Sequence, residues 1–314
     1  PWILPRGDRA LSPGERARFR RWPLRAKLRR TLLFWRQEML GLAFFGWSKL
    51  GARARQRALA NLAQGVPDAD LREKLTPSYA PGCKRVLLSD DYYPTLARED
   101  VELVAKGASS FTEDGVRDAD GVERAADVVI FGTGFDLDTL LAPLEVYGTG
   151  GKSLSEAWAG APRGHLGITV PGFPNMFMLL GPNTGLGHNS VVIMAEAQIH
   201  YVRKCLETLR NRGANRLEVR KEAFDSYDAE IQTRLSKAIW SLGGCTSWYL
   251  DKNGRNVTLW PGSVVEYWWR TRRPRLADFR VGKIDLASVS DSTEPAPEPR
   301  AAAPVEAVRR ESRP

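Results

Sequence analysis

Two apolar runs, Asp127-Val-Val-Ile-Phe131 and Met176-Phe-Met-Leu-Leu180, each end directly at a glycine, and they constrain the fold more than any other feature. Large apolar residues without polar alternation predict strands buried on both faces, as where helices cover a parallel sheet. Shorter strands are expected at Arg85-Val-Leu-Leu-Ser89 and Val101-Glu-Leu-Val104. From Ser190 to about Arg212 the period becomes helical, with Val191, Ala195, Ile199, Val202, Leu206 and Leu209 on one stripe. Ser190 suits the N-cap, and Gly213, behind Arg210 and Arg212, suits the C-terminal cap. Strands that end at glycine turns before helices predict an α/β protein.

The chain has 314 residues, 43% hydrophobic and 26% charged, enough for one large domain or two modest ones. This composition excludes collagen, coiled coil and wholesale disorder. Cys83, Cys205 and Cys245 are far apart and odd in number, and His165, His188 and His200 form no helix-face pair. A disulfide scaffold, a structural zinc site and a histidine metal centre all fail on that count, and a reducing, cytoplasmic compartment is the simplest reading. From Asp285 the sequence is rich in Pro, Ala, Ser and Glu, and no aromatic follows Phe279. Residues 281–314 are therefore expected to be a disordered tail.

Charge is concentrated at one end. Residues 1–60 hold 15 Lys/Arg against Asp8, Glu15 and Glu38, in a chain of net charge +9. Such a block serves as a solvated helical face or meets an anionic membrane or a phosphorylated cofactor. No RNP, zinc-finger or basic-zipper pattern accompanies it, so no nucleic-acid partner is expected. Within Leu32–Leu50 the longest clean apolar run, Met39–Trp47, is far shorter than the ~20 residues a bilayer span needs. A helix packed on another part of the protein is the expectation.

Three glycine clusters need separate readings. Tyr147-Gly-Thr-Gly-Gly-Lys-Ser153 ends like a phosphate loop, but Val146 stands where its first glycine must be, which predicts a surface turn. Gly185-Leu-Gly-His-Asn-Ser190 mimics a dinucleotide loop, yet four residues separate it from the apolar run and no acid follows at the right distance. It still places small residues and free N–H groups at the start of a long helix. Gly132-Thr-Gly134, after Phe131, would let a cofactor pass close to a backbone without Cβ atoms.

Together these segments resemble a known family. Asp127-Val-Val-Ile-Phe-Gly-Thr-Gly-Phe-Asp136 is similar to the D-x-V-I-x-A-T-G-F-D signature of flavin-containing monooxygenases, with Gly132 in place of alanine. Gly181-Pro-Asn-Thr-Gly-Leu-Gly-His-Asn-Ser190 resembles their flavin-passing segment. Pro77-Ser-Tyr-Ala-Pro-Gly-Cys-Lys-Arg85, Cys245-Thr-Ser-Trp-Tyr-Leu250 and Trp260-Pro-Gly262 resemble the Baeyer–Villiger branch. The likeness is colinear from residue 1 to about 275.

The resemblance implies FAD and NADPH as cofactors, O2 as co-substrate, and a flavin peroxide that inserts oxygen into a ketone or onto a heteroatom. It makes Arg85 the catalytic cation, since a guanidinium stays charged and offers a planar fork of donors. It places Lys84 near the nicotinamide nucleotide and Trp248 beside the cofactor. The implied cofactor contacts are completed by Thr133, Gly134, Phe135 and Asp136, and by Asn183, Gly185, Leu186, Gly187, His188 and Asn189. No metal is implied. The family's two G-x-G-x-x-G loops and its F-x-G-x-x-x-H motif are absent from these 314 residues. The expected fold is thus an incomplete two-dinucleotide-domain flavoprotein. Residues 1–85 belong to the NADPH-binding and helical domain, 86–280 to the return strands of the FAD domain and the C-terminal region, and 281–314 to the tail. Weak or no FAD binding by the chain alone follows. The alternative is a catalytically inactive module that binds a membrane surface or a protein through Arg16–Trp47.

Overall fold

In the computed structural model, which describes residues 1–41, 44, 48–134 and 144–284, helices carry most of the regular structure and the strands are short. The chain starts with β1 (Ile3–Leu4), α1 (Pro13–Arg21), α2 (Pro23–Gly41), α3 (Ser48–Gly65) and α4 (Ala69–Leu75). Ser12 and Glu15 form a capping box at α1, and Asp68 accepts from the Leu71 N–H to start α4. After α4, β2 (Leu87–Leu88) returns parallel to β1, and α5 (Tyr92–Leu96) follows. Ile3, Leu62, Val66, Leu75 and Tyr93 bury against one another, so the first residues are held by α3, α4 and α5.

A meander of β3 (Ala108–Phe111), β4 (Gly115–Asp118) and β5 (Glu123–Ala125) comes next. Glycine is required at 115, because a Cβ there would stand 1.9 Å from the Arg124 carbonyl oxygen. The larger core lies beyond, among α6 (Leu154–Trp158), α7 (Val191–Asn211), β6 (Arg216–Val219), α8 (Lys221–Leu235), α9 (Ile239–Leu242), α10 (Val264–Arg270) and β7 (Phe279–Gly282). Strands β6 and β7 pair antiparallel, and Tyr201, Trp240, Trp260, Tyr267 and Phe279 are fully buried among these elements. A polar chain crosses this core. Gln198 Oε1 accepts from the Leu180 N–H at 2.8 Å, Gln198 Nε2 donates to Tyr267 Oη at 2.8 Å, and that hydroxyl donates to the Leu166 carbonyl at 2.6 Å.

The mixed α/β class is as expected, but the buried parallel sheet is not formed among the described residues. Val128, Val129, Ile130 and Phe131 are 40–89% exposed and pair with no described strand. A strand buried on both faces needs neighbours on both edges, and no described segment supplies them. Met176–Leu180 is also not a strand: Met178 N–H donates to Ile168 O at 2.8 Å, and Leu180 turns the chain with φ +53°. Val101–Val104 is irregular, and Arg85–Ser89 contributes only the two residues of β2.

Helix α7 has its expected cap, with Ser190 accepting from the Val192 N–H, and Gly213 takes φ +56° just past its end. Its buried face is rotated from the expected stripe, however. Met194, Ala197, Gln198, Tyr201, Cys205 and Leu209 face inward, whereas Val191, Ile199 and Leu206 are exposed. The Tyr147–Ser153 cluster is a turn, and Ser153 starts α6 with a capping box to Glu156. Strand β7 carries order through Gly282, past the expected boundary at 280, and residues 285–314 lie outside the described residues. Among the described residues no helix is long and apolar enough to cross a membrane.

Candidate functional site

The segment that carries Lys84 and Arg85 is fastened on three sides. Trp2 Nε1 donates to the Tyr79 carbonyl at 2.8 Å, and the Ala80 N–H donates to the Gly243 carbonyl at 2.9 Å. Cys83, fully buried, is joined to Cys245 by a disulfide across 162 residues. That link corrects the expectation drawn from cysteine spacing, and it removes the ground for a reducing compartment. Sequence distance concealed the pairing, because the fold brings the two turns together: a Cβ on Gly243 would lie 2.6 Å from Cys83 Cβ.

The disulfide joins the segment that carries Arg85 to the turn that leads into Trp248 and Tyr249. Lys84 and Arg85 are both exposed, and Lys84 Nζ lies 5.3 Å from the centre of the Tyr79 ring. Burial raises the Tyr249 phenol above its usual pKa, and the nearby Arg85 charge opposes that rise. Trp248 is half exposed, its ring centre 4.6 Å from that of Tyr249. An unburied guanidinium can receive an oxygen that gains negative charge.

The 183–190 segment is held mainly by the chain itself. Asn183 is buried at φ +57° and donates through Nδ2 to the carbonyls of Asn256 at 2.8 Å and Leu259 at 3.2 Å. Gly185 bridges Leu259, and a Cβ there would meet the Thr258 carbonyl oxygen at 2.9 Å. Leu186 packs on the main core. A Cβ on Gly187 would lie 3.0 Å from Trp240 Cζ2 and 3.5 Å from the Phe44 ring. Phe44 stacks on Trp240 at 5.5 Å and also lies 2.8 Å from where a Gly82 Cβ would stand. The ring of Phe44 thus joins the Arg85 segment to the Gly187 turn.

Glu38 of α2 closes the far side. Its Oε1 accepts from Asn189 Nδ2 at 2.8 Å and lies 3.3 Å from His188 Nε2. Its Oε2 accepts from the Val264 N–H at 3.0 Å, at the start of α10. Burial pushes the Glu38 carboxyl up, but the contacts to His188, Asn189 and Val265 outweigh it and leave the pKa below the usual range. Glu38, Phe44, Tyr249 and the cysteine pair escaped the sequence reading. A visible signal existed for Glu38, the only acid between Glu15 and Asp68, set beside an apolar run.

Thr133 and Gly134 are exposed, and no described contact joins them to Arg85 or Gly187. Phe135 and Asp136 lie outside the described residues.

Comparison with known proteins decides the family. The chain is 40% identical over 292 residues to a Baeyer–Villiger monooxygenase of Pseudomonas aeruginosa, which covers 93% of this chain and 55% of that protein. It is 42% identical over 281 residues to a Baeyer–Villiger monooxygenase of Streptomyces coelicolor, covering 89% of this chain and 54% of the relative. The chain belongs to the Baeyer–Villiger monooxygenase family. It spans about half the length of these family members. No protein-family model matches.

Solved structures agree. A steroid monooxygenase bound to NADP superposes with a TM-score of 0.65 at 29% identity, over 75% of this chain and 45% of that one. An OTEMO complex with FAD and NADP gives a TM-score of 0.73 over 90% of this chain and 60% of the other, and at 22% identity it speaks for the fold alone.

The residues of this Baeyer–Villiger family chain fit such cofactors only in part. Around Gly132 and Gly134 no described atom lies within 4 Å of a built Cβ, so none of the described side chains fills the space against that backbone. At Gly185 and Gly187 the corresponding space is already filled by Thr258, Trp240 and Phe44. Among the described residues no glycine loop grips a diphosphate: the Gly148 turn is closed by the Gly148 N–H to Lys152 carbonyl bond at 2.9 Å.

Proposed function

We propose that this chain supplies the cationic part of an FAD- and NADPH-dependent monooxygenase site that inserts one oxygen atom of O2 into a ketone. The exposed Arg85 guanidinium, two residues from the Cys83–Cys245 link and close enough for its charge to act on Tyr249, is the observation that carries this reading. Arg85 holds negative charge that develops on oxygen, and its planar donor fork keeps that charge in place. Lys84 faces the nicotinamide nucleotide, and the Trp248 indole N–H orients a cofactor or substrate oxygen. Thr133 and Gly134 leave room for the edge of the ring, the resemblance assigns Phe135 and Asp136 to the same cofactor, and Asn183, Gly185, Leu186, Gly187, His188 and Asn189 keep their own segment in shape. FAD, when bound, supplies the redox and oxygen-activating chemistry. Ketone insertion is preferred over heteroatom oxidation because the two relatives described above, at 40% and 42% identity, are named Baeyer–Villiger monooxygenases.

The test is a fusion of this chain to the part of the Pseudomonas aeruginosa relative that it does not cover. The fusion should bind FAD and convert cyclohexanone to its lactone with NADPH, while the chain alone should retain little flavin. A folded, flavin-loaded fusion that forms no oxygenated product from ketones would overturn the reading and favour an inactive module.

A further inference from the structure

Helix α2 presents two faces of different chemistry. Toward the protein it buries only Glu38 and Gly41. Away from it, Leu24, Leu28, Leu32, Trp35 and Met39 are 52–75% exposed. At 100° per residue these positions fall within an arc of about 80°, a continuous stripe on one side of the helix. Trp22, just past the end of α1, is also more than half exposed, so one indole precedes the stripe and another, Trp35, lies within it.

Arginines border the stripe. By the same projection Arg25, Arg29 and Arg36 follow its edge, and Arg20 and Arg21 precede it on α1. Among the described residues none of these five forms an ion pair with a carboxylate. The two acids of α1 and α2 are already engaged: Glu15 by Arg9, and Glu38 in the buried contact with His188 and Asn189. The outward surface is therefore an apolar stripe beside uncompensated positive charge. Next to it, a cleft of about 650 Å³ runs between α2 and the start of α7, with Lys27, Arg30, Phe34, Val192 and Ile193 in its walls.

We propose that α1 and α2 form a docking surface for an anionic lipid bilayer, on which α2 lies in the interfacial plane. The stripe is too narrow and α2 too charged to cross a bilayer, whereas apolar side chains at acyl depth with arginines at headgroup level match this geometry. Both indoles suit the interface, since each ring joins an apolar body to one polar N–H. Charge complementarity selects the partner, because an anionic headgroup layer meets several guanidinium groups that have no carboxylate partner, Arg29 among them although it also lies 5.6 Å from the centre of the Phe19 ring. The surface is independent of Arg85, so its failure leaves the catalytic reading intact.

Flotation of the full chain with vesicles tests this. Vesicles of phosphatidylcholine mixed with phosphatidylserine should carry the protein, and phosphatidylcholine alone should not. High salt should weaken the binding. The variant Leu28→Glu/Leu32→Glu changes only exposed positions and should reduce the bound fraction about tenfold, with an unchanged circular dichroism spectrum. Arg25→Gln/Arg29→Gln should reduce binding to anionic vesicles while it preserves the stripe. Equal binding to both vesicle types, or binding indifferent to both variants, would overturn the proposal. So would a wild-type dimer in sedimentation that Leu28→Glu/Leu32→Glu converts to monomer, or tighter binding to duplex DNA than to anionic vesicles.

Discussion

Glu38 Oε1 and His188 Nε2 lie 3.3 Å apart with both side chains almost wholly buried, so the basic N-terminal helix is locked to the glycine turn before α7. The same carboxylate accepts from Asn189 and from the Val264 N–H, and removing it strands several buried donors at once. Glu38→Ala should destabilise the chain by about 2–4 kcal/mol, more than an average substitution. Urea unfolding followed by tryptophan fluorescence measures it. The lowered pKa gives the pH sign: Glu38 stabilises above the ordinary carboxylate range, and that contribution fades as pH falls through its folded value. Glu38→Gln should therefore lose part of the acid sensitivity of the wild type.

A second pH effect comes from His165. Burial lowers its pKa from 6.5 to about 4, although Asp278, 3.9 Å from Nε2, pulls the other way. The folded chain keeps this imidazole neutral where the unfolded chain protonates it, so stability falls as pH drops from 6.5 toward about 4. Between about pH 7 and pH 5 the loss is on the order of 2 kcal/mol. Denaturation of wild type and His165→Gln at the two pH values checks this, and the variant should show a shallower decline.

The cysteine link predicts a thiol count. Native protein prepared without reductant should show no rapidly reacting thiol, since Cys205 is buried and Cys83 and Cys245 are joined. Unfolding without reductant should expose the single thiol of Cys205, and reduction should release all three. Chain-entropy reasoning for a closed loop of this length gives an upper stabilisation of about 5 kcal/mol. Cys83→Ser/Cys245→Ser should lower the melting temperature and loosen the Arg85 segment.

Gln198 carries the polar chain through the main core. Replacement by Leu leaves the Leu180 N–H without its acceptor and removes the donor to Tyr267 Oη. A loss of about 1–3 kcal/mol is expected. Gln198→Glu, which keeps the acceptor, should recover part of it in the same unfolding assay.

What was legible before the structure follows the range of the forces involved. The α7 cap at Ser190 and the glycine past its end are local, and both were visible. Which face of α7 turns inward depends on what packs against it, and the period of its apolar residues does not carry that. The run at 127–131 reads as a strand because its residues suit one, but a strand exists only with its partners. The link between Cys83 and Cys245 and the pairing of Glu38 with His188 depend on turns distant in sequence. Motif residues pointed to the family correctly, whereas the way the chain fills its own glycine gaps with Phe44 and Trp240 appears only in three dimensions.

The most direct test concerns Arg85. In the fusion with the uncovered part of the relative, wild type and Arg85→Ala are compared for lactone formed per NADPH consumed, with bound FAD measured in each. Arg85→Ala should retain FAD and fall by ~100-fold or more in lactone formation, as expected when a positioned cation for a developing negative charge is lost. Lactone formation at the wild-type rate by flavin-loaded Arg85→Ala would contradict the role assigned to this guanidinium.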